Sequence, residues 1–188
     1  VSYSPQAAGA KCHACPLRDK PKVQPGGNLA PALVLVLDGP SFHDEKRGTL
    51  AVGPAGVTLN EVLYHVGLKR EDVWLTSALL CRLEVPGEKG AKAFDSKTYF
   101  AWLRKENALR RTRGEEEIPS PVECCKPRLQ QELAHFEREA RAAGLPNGAV
   151  VVTMGPVALK AVADKDGVLT WRGSPLPLDY FAQEGDDT

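Results

Sequence analysis

The sequence predicts an α/β fold, a mainly parallel sheet with helices packed on both of its faces. Three observations carry that expectation. Continuous apolar runs recur at residues 33–38 (LVLVLD), 72–80 (DVWLTSALL) and 148–154 (GAVVVTM), and strands without polar alternation are those covered on both faces. Amphipathic helical patterns follow these runs, at 57–66, 121–143 and 156–163. Strands that alternate with helices are joined by right-handed crossovers and pair in parallel.

Taken in order, residues 1–32 are rich in Pro, Gly and Lys and read as an irregular arm rather than a strand or helix. The run 33–38 closes on Asp38 and opens into a glycine- and proline-rich loop, GPSFHDEKRGTLAVGPAG at 39–56. A helix follows, with Leu59, Val62, Leu63 and Val66 on one face. The second strand leads into TSALLCR at 76–82. Residues 83–120 are longer than an ordinary connection, so they form an insertion with its own helix or a functional loop. The helix at 121–143 buries Leu129, Leu133 and Phe136; the third strand then turns at Gly155 into the helix 156–163. Ligands of such sheets bind at the carboxyl ends of the strands, which places 39–56 and 76–82 on one rim.

The chain of 188 residues is expected to form one domain, 1–188, which could be part of a longer protein. Apolar residues at 43% and charged residues at 26% exclude disordered and fibrous classes. No apolar run reaches membrane length and the first residues lack the order of a secretory signal, so the expectation is a cytoplasmic protein without membrane contact. A formal net charge of zero excludes a general attraction to nucleic acid and leaves only local patches. One such patch spans 89–113, where Lys105, Arg110, Arg111 and Arg113 follow Tyr99, Phe100 and Trp102. It reads either as a DNA-binding surface or as a solvated helix with an apolar stripe.

The cysteines are five: Cys12, Cys15, Cys81, Cys124 and Cys125. In a cytosolic protein disulfides are disfavoured, which leaves unrelated buried thiols or a metal site. The spacing CHAC lets Cys12 and Cys15 turn onto one centre. Zinc and a [4Fe-4S] cluster both accept four thiolates, and spacing does not separate them.

The segments CHACPL, DGPSFHDEKRG with AVGPAG, LTSALLCR, PVECCKPRL, VVVTMGPVALKAV and WRG occur in one order along the chain. In that order they resemble the iron-sulfur uracil-DNA glycosylases of the family 4 type, over nearly the whole chain except 83–118 and the residues after 173. The resemblance implies a three-layer αβα sandwich and a [4Fe-4S] cluster held by Cys12, Cys15, Cys81 and Cys125. Cys125 is preferred to Cys124 because CKPRL fits the family's Cys-basic-Pro-x-Leu. The cluster is regarded in that family as structural, tying the arm and a DNA-facing loop to the sheet.

The resemblance also exposes departures in the pocket. Where the family has Gly-Glu-Ala-Pro-Gly, this chain has Leu37, Asp38, Gly39, Pro40 and Ser41. Asp38 keeps an acid, one methylene shorter, and a displacement of about 1 Å can cost on the order of a hundredfold in rate. The family's stacking phenylalanine corresponds to Ala51 in Leu-Ala-Val-Gly, which ends at Gly53. Stacking of that kind is worth about 1–3 kcal/mol per base. The asparagine that reads the uracil edge corresponds to Ser77, which lacks the paired donor and acceptor of an amide.

The family's His-Pro loop is not found. His13, His43, His65 and His135 are none of them followed by proline, so either the domain continues in a longer protein or the loop has been lost. The inserted histidine of a branch that bonds to the abasic sugar has no counterpart in LRRTRGEEEIPSP. His43, beside Asp44, is a substitute proton carrier or simply an exposed loop histidine. Gly155 and the GPVALK helix opening can hold phosphates through backbone N–H groups.

The expected function is therefore a uracil-DNA glycosylase-like iron-sulfur domain of DNA repair or replication. Its pocket would use Gly39, Pro40, Ser41, Ala51, Gly53, Ser77 and Gly155, with Asp38 and His43 as remaining candidates for catalysis and excision lost or weak. The alternatives are an active glycosylase for deaminated bases and a zinc-bound scaffold for protein contacts. The implied partner is single- or double-stranded DNA. Modules of this kind also occur joined to viral replication polymerases, which adds such a polymerase as a partner and a nucleoid or viral replication context.

Overall fold

The computed structural model describes residues 6–88, 95–145, 148–176 and 178. Four strands form one sheet in the order β1-β3-β2-β4. The central strand β2 (Leu33–Leu37) runs parallel to β3 (Trp74–Ser77), with Val34 opposite Trp74 and Leu37 opposite Ser77. It runs parallel also to β4 (Val150–Met154), with Leu33 opposite Val150. The short β1 (Gly26–Gly27) pairs antiparallel with β3. A Cβ at Gly27 would lie 2.0 Å from the Val73 carbonyl oxygen, so glycine permits this close pairing.

The apolar runs have the explanation the sequence offered. On one face Val34, Val36 and Trp74 pack with Leu129, Leu133 and Phe136, and on the other Leu35 and Leu75 pack with Leu59 and Leu63. Both rows of β2 are thus covered, by α4 (Pro121–Ala142) with α5 (Pro156–Ala163) and by α2 (Pro54–His65). The third run departs from this. β4 stands at the sheet edge, and Val150, Val152 and Met154 are 60%, 40% and 38% exposed while Val151 packs inward. Its continuous run therefore reflects cover on one face among the described residues.

Proline fixes three helix starts, because its preset φ suits the first turn and its missing N–H is not needed there. Pro54, Pro121 and Pro156 open α2, α4 and α5. Pro127 lies inside α4 and gives no hydrogen bond to Glu123, whose exposed position lets water take the carbonyl. Within 83–120 the insertion carries its own helix, α3 (Ser96–Thr112), capped by Asp95 and anchored by buried Tyr99 and Leu103. Its apolar side faces inward and its basic residues Arg104, Lys105 and Arg111 are exposed. The loop after β2 holds an unforeseen helix, α1 (Phe42–Arg47), and a last short one is α6 (Val168–Trp171).

The arm is more ordered than expected. Besides a 3-10 turn at Cys12–Ala14 and β1, it makes bridges from Lys22 to Cys81 and from Gln24 to Thr49. The Val23 N–H donates to the Leu80 carbonyl at 2.8 Å. Backbone pairing, which side-chain patterns do not report, binds the arm to the rim. No helix among the described residues is long and apolar enough to cross a membrane.

Candidate functional site

Where β2 and β3 end and α3 and α5 begin, a cavity of about 270 Å³ opens, lined by Asp38, Gly39, Pro40, Leu79, Leu83, Asp95, Ser96 and Val157. Small-molecule sites are usually about 300–1,000 Å³, so this one suits a ligand the size of a single base. Asp38, Gly39 and Pro40 were expected there. Ser41, Ala51, Gly53, Ser77 and Gly155 are not in its lining. Asp95 and Ser96 come from the long connection, where the only signal was an acid at a helix start.

Asp38 reaches across to α5. Its Oδ1 accepts from the Ala158 N–H at 2.8 Å, and the Val157 N–H also donates to the carboxylate. Burial raises its pKa, with these two donors opposing. Gly155, at φ 124°, has no side chain to cap α5, and a Cβ there would lie 2.3 Å from Asp38 Oδ1. The carboxylate thus does the capping that Gly155 cannot.

Ser77 is fully buried, and its hydroxyl donates to the Leu79 carbonyl at 2.6 Å. Ala51 has φ 50°, a left-handed conformation uncommon for a residue with a Cβ. Arg70 holds this turn, donating to the Ala51 carbonyl at 2.9 Å and the Leu50 carbonyl at 2.5 Å. Gly56 passes beneath, where a Cβ would meet the Ala51 oxygen at 1.7 Å.

Asp44 is buried. Its carboxylate accepts from the Ser41 N–H at 2.9 Å and the Val52 N–H at 2.8 Å, while the Ser41 hydroxyl accepts from the Asp44 N–H at 3.3 Å. This reciprocal cap starts α1 and ties it to the 50–53 loop. His43 is exposed and faces Gly53, where a Cβ would sit 3.1 Å from its Cδ2. The two neighbours point to different partners, so the structure does not couple His43 to Asp44 as an acid–histidine pair.

A buried polar network beneath the rim was missed from sequence. Arg128, fully buried, donates from Nη1 to Glu132 Oε2 at 2.6 Å and Thr76 Oγ1 at 3.0 Å, and from Nη2 to the Ser77 carbonyl at 2.5 Å. Glu132 also accepts from Trp74 Nε1 at 2.6 Å and Thr76 Oγ1 at 2.9 Å. The network fixes the end of β3 to α4. Its signal was an Arg and a Glu four apart on the stripe of Leu129, Leu133 and Phe136.

The thiols gather where the arm, the segment after β3 and the start of α4 meet. Cys15, Cys81, Cys124 and Cys125 are buried and Cys12 half-buried. Burial first, then the charges of Cys124, Cys125 and Cys81, push the Cys15 thiol up to about 12, against the Leu17 N–H, which donates to its Sγ at 3.5 Å. Cys81 is pushed up to about 12 by burial, then by Cys125 and Cys12, with Lys22 opposing.

Cys125 is raised by burial, while Arg128 and the Leu80 N–H favour its thiolate. Cys124 is raised by burial and hydrogen-bonds to Cys15. Mutual repulsion of crowded thiolates in a buried place is relieved by a cationic centre. Backbone N–H groups aimed at Cys15 and Cys125 suit sulfurs that carry negative charge. Among the described residues no group of three or more His, Cys, Asp or Glu side chains stands where it could hold a single metal ion.

At the C-terminal end of α3 three arginines meet acids of their own chain, while Arg104 makes no ion pair among the described residues. Arg110 pairs with Glu106 at 3.2 Å and Glu115 at 3.7 Å, Arg111 with Glu117 at 3.2 Å, and Arg113 with Glu115 at 4.0 Å. Lys105 is exposed and makes no ion pair among the described residues. Lys89 and Lys92, at the start of the patch, lie outside those residues.

The family model of the uracil DNA glycosylase superfamily matches residues 25–176. The chain belongs to the uracil-DNA glycosylase superfamily. A stretch of 74 residues is 42% identical to the type-4 uracil-DNA glycosylase of Thermotoga maritima, 38% of each chain. Similar stretches of 73 residues are 40% identical to the type-4 enzyme of Archaeoglobus fulgidus and 34% identical to that of Pyrobaculum aerophilum, each covering 38% of this chain and 37% of the relative. The matched stretch thus spans less than two-fifths of these relatives. A parallel sheet between helices, with its cavity at the strand ends, agrees with the superfamily assignment.

Proposed function

We propose that this chain is a DNA-binding uracil-DNA glycosylase-type domain, acting in DNA repair or replication, in which excision of uracil is lost or weak. One observation carries this reading. The hydroxyl left for base recognition is out of reach, since Ser77 is fully buried, donates to the Leu79 carbonyl and does not line the cavity, and the Asp38 carboxylate is drawn towards α5 by the Ala158 N–H. A general base must be within hydrogen-bond reach of the proton or water it serves, and a recognition group must present a free donor or acceptor to the base. Ala51, in addition, offers no ring for an extruded base.

The thiol set is read as the seat of a [4Fe-4S] cluster, with Cys12, Cys15, Cys81 and Cys125 holding it and Cys124 packing beside it. Four thiolates around one zinc ion at about 2.3 Å stand less than about 4 Å from one another. A [4Fe-4S] cluster spreads its four thiolates wider, and the resemblance of CHACPL, LTSALLCR and PVECCKPRL to the iron-sulfur type selects it here. Bound there, the cluster supplies electrostatic compensation and a crosslink. These residues position the arm and the rim, and the base would lie in the cavity beside Asp38, not at the thiols.

The test is incubation of the purified protein with uracil-containing single- and double-stranded oligonucleotides, followed by alkaline cleavage. We expect no scission at uracil above a heat-killed control. Scission as fast as that by an active type-4 enzyme run beside it would overturn the reading and favour an active glycosylase.

A further inference from the structure

Arg110 and Arg111 of α3 are engaged by glutamates, but the basic residues of α1 are not. Phe42, Lys46 and Arg47 are all exposed, Phe42 at 57%, and neither Lys46 nor Arg47 makes an ion pair among the described residues. Phe42 and Lys46 stand four residues apart, hence on one side of the helix. The ring is held from behind. The Arg82 guanidinium lies over it, 5.6 Å from its centroid, and is itself fixed by Glu45 at 2.7 Å in a pair only 12% and 15% exposed. His43 meets the ring edge-on at 5.7 Å between centroids.

The helix beneath is fixed in turn by the Asp44 bonds to Ser41 and Val52. An exposed aromatic on a braced helix, two residues beyond Pro40 of the cavity and beside free cations, matches what single-stranded nucleic acid needs: a stacking platform and phosphate contacts. Lone exposed apolar residues are common and need no cause. Here, however, a near-buried ion pair and a capping carboxylate hold the ring in place.

We propose that α1 is a contact site for single-stranded DNA, with Phe42 stacking on an unstacked base and Lys46 meeting a phosphate. This rests on the DNA-binding reading above. The test measures binding of a labelled oligothymidylate, and of the same strand with abasic positions, to wild type and to the Phe42→Ala, Phe42→Trp and Lys46→Ala variants, each checked for an unchanged thermal melt.

Phe42→Ala should weaken binding to the intact strand about five- to hundredfold and leave binding to the abasic strand unchanged. Phe42→Trp should retain affinity, with indole fluorescence quenched as the strand binds. Lys46→Ala should reduce the slope of log affinity against log salt by about 0.7. Phe42→Ala binding the intact strand as wild type does, or losing the same factor on the abasic strand, would overturn the site. Wild type binding no DNA at all would remove both the site and the reading beneath it.

Discussion

Asp38 lies between two opposing influences, burial and the N–H groups of Ala158 and Val157, and burial prevails, so its pKa is raised above 3.8. An acid of this kind contributes stability while protonated. The contribution is present below the unfolded pKa and is lost as pH rises through the folded one. Asp38→Asn keeps an acceptor for Ala158 and cannot ionise. Its unfolding free energy relative to wild type should therefore rise between about pH 3 and about pH 7, as read by urea titrations at several pH values. A relative unfolding free energy that falls over that range would show that the two backbone donors outweigh burial. The same residue explains why Gly155 must be glycine: φ of 124° and a Cβ 2.3 Å from the carboxylate both exclude a side chain.

At the scale of elements, the link between α4 and β3 decides how firmly the rim is held. Arg128 and Glu132 are a buried pair whose loss of one partner leaves a charge without compensation, at a cost of about 3–5 kcal/mol. Arg128→Met should cost about that much in denaturant melts, and Arg128→Met with Glu132→Leu should cost clearly less than the single change. Equal losses in both would show that the pair's charge is not what matters.

The legibility of the elements follows the same physics. β2 and β3 could be read because cover on two faces leaves no polar alternation, and α5 because Pro156 marks its start. α1 was hidden because six residues give no helical period, leaving only the cap of Ser41 with Asp44 as a sign. The cavity was legible at Asp38, Gly39 and Pro40, which follow a strand directly. It was not legible at Asp95 and Ser96, which a long connection brings back to the rim. Charge alone could not resolve the basic patch, since two of the three glutamates after Gly114, Glu115 and Glu117, fold back onto its arginines.

Across the whole molecule, the thiols join segments far apart in sequence. Cys12 and Cys15 belong to the arm, Cys81 follows β3, and Cys125 lies in the first turns of α4. Backbone contacts reinforce the junction: the Lys11 N–H donates to the Cys124 carbonyl at 2.9 Å, and Lys22 bridges to Cys81. A centre bound there would connect the arm to the rim that bears the cavity and α1, so fold and site would share one crosslink. Binding of this kind adds directly to folding free energy.

The measurement that tests this most directly is the iron and acid-labile sulfide content of anaerobically purified protein, compared with its Cys125→Ser and Cys124→Ser variants. We predict about four irons and about four sulfides per chain in wild type and Cys124→Ser, and none in Cys125→Ser. About one zinc per chain without sulfide, or full iron in Cys125→Ser, would contradict the account.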